Sequence, residues 1–516
     1  MAFPRTAGVL TIVTLAIGAA AAQDNTAAGA GFRTFISDIV PPGIDNGLRD
    51  NDPPRPPRPY PTDLKVRDDG TPYLRGSIIV KFRPGTAASA QRLMVTRVGA
   101  STMDAPSYAD FEIVNIDRNA DPEAVAASLA QQPDVEYAQA RYLMHPMFVP
   151  NDPLYAEQWN FPAIDMERAW DLNPGAAPSI VVAVIDSGVA YRNAVLRRNI
   201  PAWRGTDGVT VFSFPALGTV DIPFAAAPDL AGPDRFVAPR DFIWNDTDPL
   251  DLDGHGTHVA GTIGQLTNNS VGVAGMAFNV RIMPVKVIDS LWDDILGSPF
   301  QGTDDVVARG VRYAVDNGAK VLNMSIGRSG PPSPLLQDAL SYATQHGVFV
   351  SIAAGNDFEQ GNPIEWPAAY ANQMQGVVAV GAIGRDRLRA YYSTTGPYVE
   401  LAAPGGNQRA GGAAGGILQQ TYDFNFTDTF AFGPSRYGAP RFDVFAYQFF
   451  QGTSMATPHV SGFAALLMQH GITSPAAVEA AMEQFATDLG QSGKDDQYGY
   501  GLINPRASLR GLGLAR

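Results

Sequence analysis

Residues 452–462 of this chain read GTSMATPHVSG, and they place Ser454 among small side chains just before an apolar run with helical spacing, residues 463–468. A serine at the start of a helix lies where unpaired backbone N–H groups and the positive end of the helix dipole favour negative charge. A nucleophile that generates an oxyanion needs that environment, although a serine at this position also serves simply as an N-cap. The pattern is not Gly-x-Ser-x-Gly, because Ala456 stands in the last place, and this argues against a nucleophile elbow.

A serine nucleophile needs a base, and the chain offers six histidines. Two of them, His255 and His258, lie in residues 253–261, which read DGHGTHVAG. Glycines flank His255 at the start of a small-residue helix, so His255 is the predicted base, whereas His258 points elsewhere and is expected to be structural. The other histidines fit local roles, in a Pro/Met-rich stretch, at helix ends before a glycine, or inside the helix of Ser454: His145, His346, His470 and His459.

The base in turn needs an orienting carboxylate, and residues 180–188, IVVAVIDSG, supply one. A continuous apolar run that ends in an acid predicts a buried parallel strand with Asp186 at its C-terminal tip. In open α/β sheets, binding and catalytic sites lie at that edge. We therefore expect Asp186, His255 and Ser454 to meet there.

The order Asp, His, Ser along the chain is that of subtilisin. The blocks VIDSG, HGTHVAG and GTSMATPHVSG resemble those of subtilisin-like serine proteases, and the likeness runs from about residue 151 to the C-terminus. The resemblance implies an α/β, three-layer domain with a mostly parallel sheet covered by helices on both faces. It also implies a serine endopeptidase that works through an acyl-enzyme, with Asp186, His255 and Ser454 as catalytic residues.

Composition limits the other possibilities. The chain has 516 residues, 45% of them hydrophobic, a formal net charge of −14 and no cysteine. That length allows more than one domain. The negative charge argues against nucleic acid or an anionic membrane as a partner, and we expect a monomer. The lack of cysteine excludes thiol catalysis, disulfides and cysteine-metal sites.

The N-terminus predicts export. Residues 1–22 contain Arg5 and then a charge-free apolar run that ends in alanines, as in a signal peptide. The run is short for a membrane anchor, which is the alternative interpretation, and we expect a secreted or periplasmic protein without stable membrane insertion. Residues 23–75 include the stretch PPRPPRP and are predicted to be a linker.

Residues 76–147 are predicted to form a small domain of alternating strands and helices, a ferredoxin-like α+β unit. In position and pattern it resembles the propeptide of subtilisin-like zymogens, which implies that the enzyme binds its own propeptide; an unrelated small domain is the alternative. Residues 148–516 would be the catalytic domain, with βα units and insertions near 195–250 and 405–450.

Two strand ends carry further candidate groups. Asn356, in residues 353–357 (AAGND), could donate a hydrogen bond to an oxyanion, although asparagine after glycine is also common in a left-handed turn. The resemblance implies the oxyanion role, and it implies that two segments bind the substrate peptide. The second segment would line the pocket for the residue before the cut, and because it is small and contains no acid we expect an apolar preference. The substrate-binding residues are Ser325, Ile326, Gly327, Ala353, Ala354 and Gly355.

A structural Ca²⁺ site is also suggested by the resemblance, since residues 266–273 are similar to the calcium loop of the family. Asp152 and Asn269 would be ligands, but residues 191–195 lack the acid expected shortly after Asp186. Acidic residues cluster at positions 246, 248, 251 and 253, where the spacing is not that of an EF-hand and a solvated loop is the alternative. Catalysis itself needs no cofactor.

Two other functions remain to be compared with a protease acting on protein or peptide substrates. A catalytically silent, secreted binding protein on the same fold would be expected to lack at least one polar catalytic group, and all are present. A secreted esterase is less consistent with the missing elbow and with a peptide-binding strand.

Overall fold

The computed structural model describes residues 64–66, 72–100, 102–142, 148–206, 211–427 and 438–511. The chain divides into two compact units, one made of Met1–Leu143 with Thr206–Val211 and the other of Met144–Gly205 with Phe212–Arg516. The predicted signal peptide and most of the predicted linker lie outside the described residues. Within the described residues, no helix is long and apolar enough to cross a membrane.

The small N-terminal unit is an antiparallel sheet with two helices. Its sheet has the order β5-β2-β4-β3, and β1 pairs with the start of β2. This βαββαβ arrangement confirms the predicted ferredoxin-like unit. The elements are β1 (Leu64–Val66), β2 (Pro72–Phe82), α1 (Ala88–Arg97), β3 (Thr102–Asp104), β4 (Glu112–Asn115), α2 (Pro122–Ala130) and β5 (Val135–Tyr142).

Two local features of this unit follow from its sequence. Asp121 caps α2 by accepting a hydrogen bond from the Glu123 N–H at 3.1 Å, and Pro122 occupies the first helical position. The unit begins before residue 76, the predicted boundary, because the start of β2 pairs with β1, with Leu74 opposite Leu64.

The remaining strands build the larger sheet and three antiparallel hairpins. They are β6 (Val181–Asp186), β7 (Ala194–Ile200), β8 (Trp203–Thr206), β9 (Val211–Phe214), β10 (Gly218–Phe224), β11 (Arg240–Asp241), β12 (Arg281–Lys286), β13 (Val321–Met324), β14 (Phe349–Ala353), β15 (Val377–Ile383), β16 (Val399–Pro404), β17 (Ile417–Tyr422) and β18 (Phe445–Phe450).

Helices cover both faces of that sheet. They are α3 (Asn160–Ala163), α4 (Met166–Trp170), α5 (His255–Gly264), α6 (Leu291–Leu296), α7 (Asp304–Asp316), α8 (Pro334–Gln345), α9 (Gln408–Gly411), α10 (Phe424–Thr427), α11 (Thr453–Gln469), α12 (Pro475–Gln484) and α13 (Pro505–Gly511).

The central sheet has the order β11-β12-β6-β13-β14-β15-β16, and every neighbouring pair is parallel. Alternate residues of β6 face opposite sides: Val182 and Val184 belong to the core with α5 and α11, whereas Ala183 and Ile185 belong to the core with α7 and α8. The continuous apolar run of β6 is therefore explained by burial on both faces. The carboxyl ends of β6, β13 and β14 lie side by side at one edge of this sheet.

The two predicted insertions contain hairpins. β7 pairs with β10 and β8 with β9 in the first insertion, and β17 pairs with β18 in the second. These hairpins do not extend the central sheet.

Candidate active site

Asp186 and His255 are in direct contact at the carboxyl end of β6. The Asp186 side chain is fully buried, and its Oδ1 lies 2.7 Å from Nδ1 of His255, which opens α5 with a side chain 16% exposed. Oδ1 also accepts the backbone N–H of Ser187 at 2.7 Å. A carboxylate held in this way fixes the tautomer of the imidazole with its proton on Nδ1, leaving Nε2 as the acceptor.

Asp251 holds the start of α5 in place. It is fully buried, and its two oxygens accept hydrogen bonds from the backbone N–H groups of Gly254 and Thr257 at 2.9 Å each and from the hydroxyl groups of Ser187 and Thr257 at 3.0 and 2.6 Å. These are donors that the first turn of a helix leaves without intrahelical partners. Asp251 thus ties the helix that carries His255 to the strand end that carries Asp186.

Electrostatics favour the charged form of His255. Burial lowers the pKa of His255, but the charge of Asp186 and its hydrogen bond outweigh burial, so that the pKa rises from 6.5 to about 9. Asp253 and Asp251 act in the same direction. The site therefore stabilises an imidazolium, which is the form that a histidine base takes after it accepts a proton.

Ser454 lies in the first turn of α11, as predicted. The helix is preceded by Gly452 with φ of 155°, a conformation that favours glycine. Pro458 lies inside the helix and has no N–H, so the carbonyl of Ser454 lacks the usual helical donor four residues on. That carbonyl instead accepts the hydroxyl of Ser325 at 2.8 Å.

A second hydrogen bond joins the same two residues. The Ser454 hydroxyl donates to the carbonyl oxygen of Ser325 at 3.1 Å, and in the described part of the chain it makes no hydrogen bond to His255. Because Ser325 directly follows β13, the neighbour of β6, Ser454 and the Asp186–His255 pair lie at adjacent strand ends. The structure brings these predicted residues to the same edge of the sheet.

Asn356 is fixed by the first residue of α11. Its Oδ1 accepts both the backbone N–H and the hydroxyl of Thr453, at 2.9 and 3.0 Å. The same hydroxyl accepts the N–H of Gly355 at 3.2 Å. With its oxygen occupied in this way, the carboxamide presents its NH₂ group beside the helix start that carries Ser454, and Asn356 is exposed to solvent.

The two predicted substrate segments lie at strand ends. β13 ends at Met324, because Ser325 turns to bond with Ser454, and Arg328 pairs with Trp366. Within the described residues, the backbone groups of Ile326 and Gly327 make no hydrogen bonds. Ala353 and Ala354, at the end of β14, are buried and small.

Glu365 is a residue of this region that the sequence analysis missed. It is 4% exposed, and its Oε1 has no hydrogen-bond partner among the described residues. A Cβ built on Gly355, which has φ of 110°, would lie 2.3 Å from Cγ of Glu365, and one built on Gly327 would lie 3.8 Å from Oε2. The segment 353–355 itself contains no acid, as the sequence analysis stated, but an acid from another part of the chain lies beside it. An acid between Ile364 and Trp366, in an otherwise apolar stretch, was the available indication.

Residues 266–273, the predicted calcium loop, contact a carboxylate that the sequence analysis did not consider. Asp229, far along the first insertion, is fully buried and accepts the Asn269 side-chain amide at 2.9 Å and the Val273 N–H at 3.1 Å. Asp152 accepts the N–H groups of Asn268 and Asn269 at 2.8 and 3.3 Å. Burial raises the pKa of Asp229, and the nearby charge of Asp152 contributes to the shift. Among the described residues neither carboxylate has an ion-pair partner, and this all-oxygen set fits Ca²⁺.

The other acidic cluster has a different role. Asp248 pairs with Arg192 and accepts the Tyr191 hydroxyl at 2.7 Å, whereas Asp253 accepts the N–H of His255 at 3.1 Å. Together with Asp251 they are caps and ion pairs with separate partners, whereas Asp246 is exposed. Among the described residues the four carboxylates do not converge on one metal site. In the described ranges, the carboxylates that converge within 4.8 Å are Glu400, Glu479 and Glu483, on β16 and α12.

The structure confirms the structural roles of two further histidines. His258 is fully buried, its Nε2 lies 3.1 Å from the carbonyls of Ile417 and Gln448, and burial lowers its pKa to about 3. His459 is buried inside α11, where Nδ1 lies 2.9 Å from the carbonyl of Met455, and burial lowers its pKa to about 4. Neither histidine is available as a base at neutral pH.

This fold and site match known proteins. The Subtilase family (Peptidase S8) matches residues 178–501, and the N-terminal prodomain of fervidolysin matches residues 60–140. The chain is 32% identical over 446 residues to a thermophilic serine proteinase of Bacillus sp. (strain AK1), covering 86% of this chain and 89% of that protein. It is 33% identical over 359 residues to thermitase of Thermoactinomyces vulgaris, covering 69% of this chain and 98% of thermitase.

A solved protease structure is also similar to this chain. A protease from Pseudoalteromonas arctica PAMC 21717 superimposes with a TM-score of 0.52 and 29% sequence identity, covering 70% of this chain and 99% of that one. The chain belongs to the subtilase family of serine endopeptidases and carries an N-terminal prodomain.

Proposed function

We propose that the protein cleaves peptide bonds through Ser454, His255 and Asp186. The Ser454 hydroxyl turns from Ser325 to His255, gives its proton to Nε2 and attacks the peptide carbonyl. Asp186 holds the ring and stabilises the imidazolium. His255 then protonates the leaving amine, and water hydrolyses the acyl-enzyme by the same route.

The oxyanion of the tetrahedral intermediate would be held by the Asn356 amide and the backbone N–H of Ser454. The observation that carries this proposal is the buried Asp186–His255 contact of 2.7 Å beside the helix start of Ser454. The hydrogen bonds of Asp186 with His255, of Ser454 with Ser325 and of Asn356 with Thr453 support the proposal.

The substrate would be an extended peptide. The unpaired backbone of Ile326 and Gly327 offers a strand edge, and pairing through main-chain hydrogen bonds tolerates many sequences. Small, neutral Ala353 and Ala354 favour apolar residues before the cut through burial. We further propose that the prodomain is an intramolecular partner and that the enzyme is secreted or periplasmic.

Structural Ca²⁺ is proposed at the loop of Asn269. Asp152 and Asp229 would hold the ion together with oxygen atoms of the loop, and its charge would neutralise the two buried carboxylates. A chelator is expected to lower the unfolding temperature of the Ser454→Ala protein. When Asp229→Asn is added to this protein, the chelator should change the unfolding temperature little. An equal decrease in both proteins would contradict Asp229 as a calcium ligand.

The central experiment compares wild type, Ser454→Ala and the matched control Ser341→Ala, on α8, with a casein substrate and a short-chain ester. Ser454→Ala should lose on the order of 10⁶ in kcat, the loss measured for the corresponding serine of subtilisin, a relative. Circular dichroism should show an intact fold, since small residues already surround the site. Wild-type peptidase activity in Ser454→Ala would refute the assignment, ester cleavage without casein cleavage would favour the esterase, and no activity in wild type would favour the silent binding protein.

A further inference from the structure

Glu365 lies between the two segments that the proposed function assigns to the substrate. Its Cγ is next to Gly355 and its Oε2 next to Gly327, the two glycines of those segments. Neither glycine carries a side chain that would separate Glu365 from a group placed between the segments. The carboxylate therefore lies beside both of the segments that the proposed function assigns to the substrate.

The charge of Glu365 is not balanced inside the protein. Its Oε1 has no hydrogen-bond partner among the described residues, and Glu365 is only 4% exposed to solvent. The nearest cation to consider is Arg328, but its guanidinium bonds to both oxygens of Asp304, at 2.9 and 2.6 Å. A buried carboxylate without a cationic partner is unfavourable in its charged form, and a cationic ligand would relieve that cost.

We infer that Glu365 makes this pocket accept Lys or Arg before the scissile bond, in addition to apolar residues. This inference rests on the proposed function. The long apolar stem of Lys or Arg would pack against Ala353 and Ala354, while its charged end would reach Glu365. Charge-assisted hydrogen bonds to carboxylates are among the stronger contacts in proteins.

The selectivity should change with pH, because the groups around Glu365 favour its neutral form. Burial raises the pKa of Glu365 to about 7, and the charge of Asp357 and its hydrogen bond act in the same direction, whereas the charge of Arg328 opposes them. The hydroxyl of Tyr398 also faces this segment, accepting the Glu365 N–H at 3.4 Å. Below pH 7 the pocket is neutral and suits apolar side chains; above it the pocket is anionic and suits cations.

The test uses peptide p-nitroanilides that are identical except for Lys, Met or Phe before the scissile bond. The measured quantity is the ratio of kcat/KM for Lys to that for Met, because the titration of His255 affects both substrates equally and cancels. In wild type the ratio should rise between pH 6 and pH 9. In Glu365→Gln it should fall by roughly 10- to 100-fold at pH 9 and become independent of pH.

Asp338→Asn is the matched control, since it removes one negative charge from the exposed face of α8 and should leave the ratio unchanged. If Glu365→Gln does not fold, the inference is tested by wild type alone, in which the ratio should rise between pH 6 and pH 9. The inference would be overturned if the Met and Phe substrates were cleaved but the ratio of kcat/KM for Lys to that for Met neither rose with pH nor changed in Glu365→Gln. That result would not contradict the proposed protease activity. Failure of wild type to cleave any of these peptides or casein would instead refute the proposed function.

Discussion

Asn356 shows at the scale of one residue how a neighbouring contact can orient the proposed oxyanion donor. Because Thr453 occupies the amide oxygen, the NH₂ group remains available for the proposed contact with an oxyanion. Asn356→Ala is expected to lower kcat by roughly 10²–10³, the loss measured for one such donor in subtilisin, with KM nearly unchanged. Steady-state kinetics on one peptide substrate checks this, with Asn372→Ala, an exposed asparagine, as control. An effect confined to KM would mean that Asn356 binds the substrate rather than the transition state.

His255 predicts an alkaline pH profile. Only neutral imidazole can act as the base, and the carboxylate of Asp186 raises the pKa of His255 to about 9 against burial, with Asp253 and Asp251 adding to the effect. The value of kcat/KM should therefore rise with pH along a limb that lies above 6.5. The same shift stabilises the fold at pH values below 6.5, and this contribution is lost as pH rises through about 9. A kinetic limb at or below 6.5 would contradict the proposed strength of the Asp186 contact.

At the scale of secondary-structure elements, α5 depends on Asp251. Replacing it by alanine would leave the buried N–H groups of Gly254 and Thr257 and the Ser187 hydroxyl without their acceptor. We expect Asp251→Ala to lower the free energy of unfolding by about 3 kcal/mol and also to lower kcat, because His255 opens this helix. Urea unfolding in the Ser454→Ala background, which prevents self-digestion, measures the first effect.

Asp338→Asn serves as the control for that experiment as well, because it removes a carboxylate that is exposed on a helix. A stability loss no larger than that of the control would show that the contacts of Asp251 are replaceable.

The difference between what the sequence could and could not predict is also explained at this scale. Asp186, His255 and Ser454 each follow a local pattern, a buried strand end or a helix start, and those patterns predicted their positions. Asp229 and Glu365 have no such pattern, because their roles arise only when distant segments fold together. The end of β13 could not be predicted for the same reason, since the contact of Ser325 with Ser454 that ends the strand spans 129 residues.

At the scale of the whole molecule, the acidic cluster of β16 and α12 predicts lower stability at alkaline pH. Burial raises the pKa of Glu400 to about 9, with the charge of Glu479 adding to it, and burial raises the pKa of Glu479 to about 7. The unfolded chain releases these protons near pH 4.5, so the stability present at low pH is lost as pH rises through the folded values. Lys494, with Nζ 3.9 Å from Glu400, offsets only part of the charge.

Glu479→Gln tests this consequence in the Ser454→Ala background. Glutamine keeps an acceptor for the Gly376 N–H, which Glu479 now binds, but it carries no charge. The variant should unfold at a temperature similar to that of its parent at pH 5 and at a higher temperature at pH 9. The same loss between the two pH values in both proteins would show that the cluster does not limit alkaline stability.

Maturation connects the prodomain to the catalytic unit through residues 143–150, which read LMHPMFVP. From sequence alone, a cut by the enzyme itself is predicted between Tyr142 and Asn151, and residues 143–147 lie outside the described chain. The structure narrows the range of expected cleavage sites, because Phe148 packs on two aromatic rings. Its ring centroid lies 5.7 Å from that of Trp170 and 5.9 Å from that of Phe278. Its backbone N–H also donates to Asp171 at 2.8 Å.

Phe148 is thus anchored in the catalytic unit, and cleavage after it would require these contacts to break. We therefore expect the mature chain to begin at or before Phe148, with the cut among residues 143–147, where Leu143, Met144 and Met147 are apolar candidates for the pocket. A tethered segment reaches the site at high effective concentration, which favours self-cleavage over an external protease that trims an exposed linker. Intact-mass and N-terminal analysis of wild type and Ser454→Ala, purified free of other proteases, distinguishes the two routes. Self-processing leaves Ser454→Ala uncut, whereas an identical N-terminus in both proteins requires another protease, and a mature chain that begins after Phe148 would show that its aromatic contacts do not protect it.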